Sequence, residues 1–165
     1  MDLKKIISLL ESFIKDPSQG LPDDLFLFVS RITPLINVDL LIKNEQNHTL
    51  LTWRDDEYYT TGWHIPGGII RYKETIADRI KAVAKDELGA KIEFKDSPLA
   101  IKDGFNDKNK NRGHFISLLY QCTLITQPND DLRCTGNSPK KEEWMWHSTC
   151  PANIIPVHEM YRKFF

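Results

Sequence analysis

Apolar residues recur at helical spacing in the opening MDLKKIISLLESFIKD, at Leu3, Ile6, Ile7, Leu10, Phe13 and Ile14, and Asp2 stands where an N-cap carboxylate would accept from the first turn. The pattern predicts an amphipathic helix whose apolar face needs cover, on its own domain or on a partner. DPSQGLPDD then brings two prolines and a glycine among acids and reads as a connector, so residues 1–31 separate from a main domain over 32–165. From Ile32 the period shortens to that of strands, in TPLINVDLLIKN, HTLLTWRDD and GWHIPGG. After a central helix come KIEF, SPLAIKDGF, the long GHFISLLYQCTLIT and EEWMWHS, with polar loops predicted in FNDKNKNRG and TQPNDDLRCTGNSPKK. CPANIIPVHEMYRKFF predicts a turn and a last helix. Strands around one strong helix imply a mixed α/β or α+β domain.

The central helix, ending in KAVAKDELG, poses an electrostatic problem. At about 100° per residue, Ile76, Ile80, Val83 and Glu87 share one stripe and Asp86 borders it. Glu87 therefore lies on the core side, in the last turn before a capping glycine, Gly89. The helix macrodipole is negative there and disfavours an acid by about 0.3–1 kcal/mol. A hard divalent cation with oxygen ligands would offset this, and Mg2+ takes only one or two protein carboxylates beside water and substrate phosphates; a solvated acidic helix end is the alternative. Gly67 and Gly68 precede the helix and allow either a close backbone approach or a positive φ, which would turn backbone groups towards a ligand.

Composition narrows the classes of function. Twenty-two basic against 23 acidic residues leave a formal charge of -1, which argues against a nucleic-acid or anionic-membrane field. No apolar run reaches the roughly 20 residues of a membrane span. Cys122, Cys134 and Cys150 are odd in number, widely spaced and without a CxxC, so reduced structural thiols in a cytoplasmic protein are expected.

Gly68, Glu74 six residues on, Glu87 and then Gly89 register with the pattern G-x5-E-x7-R-E-U-x-E-E-x-G-U, U being a bulky aliphatic. The stretch PGGIIRYKETIADRIKAVAKDELG thus resembles the Nudix box. Ala82-Val83 replaces its Arg-Glu and Asp86 its next glutamate. The missing arginine leaves Glu74 without its usual ion-pair partner, and one usual metal-binding carboxylate is absent.

The flanks ITPLINVDLLIKN, LLTWRDD, TTGWHIPGG and EEWMW resemble the GDP-mannose mannosyl hydrolase branch of that family, over roughly Ile32 to Trp146. The resemblance implies an α/β/α sandwich with a mixed sheet, a homodimer, and one Mg2+, or Mn2+ in its place, held by the Gly67 carbonyl and Glu87 with Asp86 in support. It implies attack at the sugar anomeric carbon, with release of sugar and nucleoside diphosphate. Asp39 matches an aspartate near the sugar, or is a hydrogen-bonded core acid. Arg54 matches an arginine on the diphosphate, or is a surface residue. Arg71 stands in for an arginine usually found at the position of Ile69, on the same face if the strand continues. Lys140 and Lys141 fall opposite a glutamine and a histidine base; lysine is a poor base near neutral pH but a good phosphate contact. Glu142, Glu143 and His114 remain as candidates for the base, His114 being equally a structural residue at a strand end. His64 is either a packed strand residue or a group beside the site, and His147 and His158 carry no motif. Cleavage of the diphosphate to nucleoside monophosphate and sugar phosphate, and a binding or regulatory module without turnover, are the competing readings.

Overall fold

The computed structural model describes residues 2–56, 60–106 and 110–165. Helix α1 spans Leu3–Ser12, with Asp2 accepting from the Lys4 amide at its N-cap; no residue of the helix is buried. The stretch read as a connector is itself structured, as a 3-10 turn at Pro17–Gln19 and a second helix, α2, over Asp23–Val29. Its seven residues, about two turns, are too short to show a helical repeat in sequence, and the flanking prolines and acids mask it.

Two sheets follow. The larger joins β4 (Gly67–Ile69), β1 (Leu35–Ile42), β7 (His114–Leu124) and β5 (Ile92–Phe94) in that order, with β6 (Ala100–Phe105) also paired to β7. β1 and β7 run parallel and every other pairing in this sheet is antiparallel. The smaller sheet is antiparallel, ordered β3 (Gly62–His64), β2 (Thr49–Arg54), β8 (Trp144–His147). GWHIPGG, read as one extended piece, is divided at Ile65–Pro66 between the sheets. Pro66 cannot donate to a ladder, but its carbonyl accepts from the Leu40 amide at 2.8 Å and stitches the crossing chain to β1. The predicted loop over 105–113 includes 107–109, which lie outside the described residues.

β1 is buried on both faces, which explains its nearly unbroken apolar run. Strand alternation sends Val38, Leu40 and Ile42 into a core with helix α3 (Ile76–Leu88), and Leu41 into a second core with Trp63, Leu119 and Tyr161. Asp39 shares the parity of Leu41. The last element, Pro156–Phe164, is a 3-10 helix that buries His158 and Tyr161. Among the described residues no helix is long and apolar enough to cross a membrane.

α3 is capped by Thr75, whose hydroxyl accepts from the Asp78 amide, and ends on Gly89 at φ 62. Its buried stripe is Arg79, Ile80, Val83, Ala84 and Leu88; Ile76, expected to join it, is 39% exposed at the first turn. Glu74 keeps an ion-pair partner after all. Arg79 Nε and Nη2 each donate to its carboxylate at 2.8 Å, and both side chains are largely buried. Burial opposes ionisation of Glu74, but the Arg79 hydrogen bonds and the Arg71 amide outweigh it and hold its pKa below the ordinary value.

Neither Gly67 nor Gly68 has a positive φ, so close approach is what demands them. A Cβ on Gly68 would sit 2.7 Å from Val83 Cγ2 and 3.2 Å from Arg79 Cδ; one on Gly67 would overlap Asp39 Oδ1. Two predictions follow from this packing. Gly68→Ala should cost about 1–3 kcal/mol in urea unfolding, and Val83→Ala should be less damaging in its presence than alone; strict additivity would mean that the clash is not what matters. Arg79→Ala should cost about 3 kcal/mol by stranding the Glu74 charge, and a loss below about 0.5 kcal/mol would refute that role.

Candidate active site

The end of α3 brings Glu87 to the seam between the sheets. Its Oε1 accepts from the Gly67 amide at 3.1 Å and its Oε2 from the Thr52 hydroxyl at 3.0 Å. Gly67 offers that amide because of its register. Asp39 and Gly67 face each other on β1 and β4, while the flanking hydrogen bonds run from Leu40 to Pro66 and from Ile70 to Ile36. Gly67 is thus at a non-hydrogen-bonded position, and both its N–H and its C=O point away from β1, on the side where Glu87 lies.

Thr52 Oγ1 is also 2.9 Å from His64 Nε2, and His64 Nδ1 is 2.9 Å from the Ile65 carbonyl. A carbonyl only accepts, so Nδ1 carries a proton. In the neutral ring, Nε2 and the Glu87 carboxylate then compete for the single proton of Thr52. Burial first, and the charge of Arg54 second, keep the ring neutral, with a pKa lowered to about 3. Burial also pushes Glu87 up to about 7, against the help of the Gly67 amide and Thr52. A half-buried carboxylate with too few donors is what a cation would satisfy.

The donors present suit a hard divalent ion: one carboxylate, a nearby backbone carbonyl, and room for water and phosphate oxygens. Among the described residues there is no group of three or more His, Cys, Asp or Glu side chains placed to hold a metal. Val83, where the family pattern has a glutamate, is instead packed in the core at 3% exposure.

Glu87 opens onto a cavity that also takes in Arg54, Lys141 and Glu142, together with Asp55 and Asp56. Arg54 Nε donates to Asp56, an ion pair beside Glu87 that sequence reasoning passed over. Glu142 has φ 71, an uncommon conformation for a side chain of its size, and its amide is tied to the Trp53 carbonyl at 2.9 Å. Arg54, His64 and Gly67 are shared with a second cavity, in which Asp39, Asn37, Arg112, Ser117 and His158 supply polar groups. Asp39 is 1% exposed; its Oδ2 accepts from Tyr161 at 2.5 Å and its Oδ1 from Asn37 at 2.9 Å. Burial pushes its pKa up to about 6, against the hydrogen bonds of Tyr161, Ser117 and Asn37.

Other expected residues lie elsewhere. Asp86 is exposed, one residue and so about 100° round α3 from Glu87, and lines neither cavity. Arg71 lies past the end of β4 at Ile69 and lines neither cavity; it is exposed, its amide donates to Glu74, and with Ile69 it borders an apolar pocket beside α2. His114 stacks on Phe105, with ring centroids 4.6 Å apart. Lys140 and Glu143 close a turn on each other, amide to carboxylate at 2.9 Å. Trp63 and Trp144 are buried core residues, and Trp146 packs against that core. His158, which no motif marked, is 7% exposed in the Asp39 cavity. Only its place in the folded terminal helix reveals it.

Set beside known proteins, this architecture is that of the Nudix hydrolases. A sequence model of the NUDIX domain matches residues 33–164, and the chain belongs to that family. The low-salt glycan biosynthesis protein Agl8 of Haloferax volcanii is 31% identical over 112 residues, covering 66% of this chain and 70% of that protein. Two solved structures share the fold. A MutT Nudix hydrolase from Burkholderia pseudomallei aligns with TM-score 0.62 and 18% identity over 79% of this chain and 97% of its own. A possible asymmetric diadenosine tetraphosphate hydrolase from Jonesia denitrificans aligns with TM-score 0.62 and 20% identity over 81% and 92%.

Since Glu87 is ionised in the unfolded chain above about 4.5 but keeps its proton in the metal-free fold up to about 7, its contribution to stability is present below 4.5 and lost as pH rises through 7. Metal-free wild type should therefore lose stability relative to Glu87→Gln across that window. Mg2+ should restore it to wild type and Asp86→Asn, but not to Glu87→Gln. Thermal melts at graded pH check this; parallel pH curves for wild type and Glu87→Gln would count against it.

Proposed function

We propose that the chain is a divalent-metal-dependent hydrolase of nucleoside diphosphate sugars, releasing sugar and nucleoside diphosphate. The observation that carries the reading is the junction at Arg54: on one side the Glu87–Gly67 group with Lys141, on the other a cavity in which Asn37, Ser117 and the neutral His158 stand around Asp39, with Arg112 also in its lining. A diphosphate suits the first and a sugar the second. Mg2+, or Mn2+ in its place, when held by Glu87 and the Gly67 carbonyl, supplies Lewis-acid stabilisation of the leaving diphosphate. Arg54 and Lys141 add positive charge to the same group. Arg71, Lys140 and Asp86, which lie outside the cavities, are not retained in these roles.

Glu142 is the candidate base that lines the Glu87 cavity, where His114 and Glu143 do not. It takes a proton from the water that bonds to the anomeric carbon, while the carbon–oxygen bond breaks and its electron pair leaves with the diphosphate. The uncharged Val83 favours this over diphosphate cleavage, which would call on more metal-bound charge than one carboxylate holds. The glycan-biosynthesis name of the Haloferax volcanii relative supports a sugar context. Free cysteines at all three positions suit the reducing cytoplasm. A homodimer belongs to the same reading, supported by the apolar residues exposed on α1 and at its C-cap, Leu3 at 67%, Leu9 at 60% and Phe13 at 61%; a monomer at every concentration in sedimentation would refute that part.

The test is a panel of GDP-, UDP- and ADP-linked sugars with Mg2+, with free sugar resolved from sugar phosphate. Free sugar should accumulate, and Glu142→Gln should lower kcat about 100-fold or more. Sugar phosphate as the product would establish the competing cleavage. Binding without turnover in wild type and Glu87→Gln alike would establish a non-catalytic module.

A further inference from the structure

The cavity around Asp39 is completed by the terminal 3-10 helix, which contributes Val157, His158 and Met160 to its lining. Two side chains of that helix reach the aspartate. Tyr161 is fully buried among Leu41, Leu51, Trp63 and Leu119, so its ring is held by packing while its hydroxyl donates to Asp39 Oδ2 at 2.5 Å. His158 Nδ1 accepts from the Ile65 amide at 3.0 Å. The proton of the neutral ring must then sit on Nε2, which lies 4.0 Å from Asp39 Oδ1. Burial first, and the neighbouring His64 and Arg54 next, keep this ring neutral by lowering its pKa well below the ordinary value.

A gap of 4.0 Å is too long for a direct hydrogen bond. It is, however, the span that one oxygen atom bridges when it sits about 2.8 Å from each partner. The bridging group must accept from Nε2–H and donate to the carboxylate. A hydroxyl does both, whereas a phosphate or carboxylate oxygen, which Arg54 and Arg112 in the same lining would attract, lacks the proton to donate to Asp39.

We propose that His158 and Tyr161 are specificity-determining residues that present Asp39 and an N–H as a two-point reader for one sugar hydroxyl. Tyr161 acts as a positioning residue, pinning the carboxylate so that Oδ1 faces the gap; His158 supplies the second contact. The proposal rests on the nucleotide-sugar reading above and adds to it that the sugar presents a neutral hydroxyl at this point. The terminal helix, remote in sequence from the family motif, thereby helps decide which sugar is accepted.

The experiment uses the full chain with Mg2+ and the panel sugar nucleotide that wild type turns over fastest, with its sugar-free nucleoside diphosphate as control. Tyr161→Phe keeps the ring and its packing. His158→Asn keeps an acceptor for the Ile65 amide. Each should raise KM for the sugar nucleotide about tenfold, leave kcat within about threefold, and leave Kd for the sugar-free diphosphate within about twofold. Among monodeoxy-sugar analogues, one should cost wild type about as much as His158→Asn does and cost that variant little more. Melting curves confirm folding, and if His158→Asn unfolds, Tyr161→Phe and the analogues decide. Equal weakening of both ligands, or wild-type KM in Tyr161→Phe, would overturn the proposal while leaving the nucleotide-sugar reading standing. Failure of that reading would show separately, in wild type alone, as no panel sugar nucleotide binding more tightly than its sugar-free diphosphate.

Discussion

The close approach of the β4 backbone to its surroundings at Gly67 and Gly68 is the constraint on which the rest depends. On one side Val83 and Arg79 of α3 pack against Gly68; on the other the Asp39 carboxylate occupies the space a side chain on Gly67 would need. Because the helix is drawn in this far, Glu87 at its end meets the Gly67 amide. Because the strand carries no side chain there, Asp39 can turn under it into the second cavity. Two acids from distant parts of the chain thus flank one short strand, and their separate environments follow from that placement.

Those environments divide the chemistry. Glu87 has two donors, one of them contested by His64, and lies where the macrodipole of α3 is negative. It is an acid made for a cation. Asp39 is more deeply buried yet better supplied, by the neutral donors Tyr161 and Asn37. It is an acid made for neutral donors. Arg54, shared by the two cavities, lowers the cost of ionising both.

Sequence reading reached the parts of this arrangement that local rules control. The strands have period-2 runs, α3 has a stripe and a capping glycine, and the position of Glu87 on that stripe against the dipole marks it for a cation from the letters alone. Asp39 stood out as a charge in an apolar strand. What escaped was set by tertiary contact. The division of GWHIPGG between two sheets depends on partners outside the stretch, β2 for its first half and β1 for its second, and helix α2 is too short to announce itself. His158 and Tyr161 belong to a predicted last helix without a motif, because nothing local says that Asp39, more than a hundred residues earlier, lies beneath them. Arg71 lies past the end of β4, where strand alternation no longer places a side chain, and lines neither cavity.

The Glu74–Arg79 pair has a consequence for how such motifs are described. The arginine of the family pattern belongs at residue 82, and Arg79 lies three residues earlier, less than one helical turn away and displaced by about 4.5 Å along the axis. A long, flexible guanidinium absorbs that displacement, and Glu74 receives two hydrogen bonds all the same. Spacing in a letter pattern is thus a proxy for position on a surface, and several spacings serve one surface. Chains set aside for lacking a motif letter deserve inspection one turn up and one turn down before the missing interaction is counted as lost.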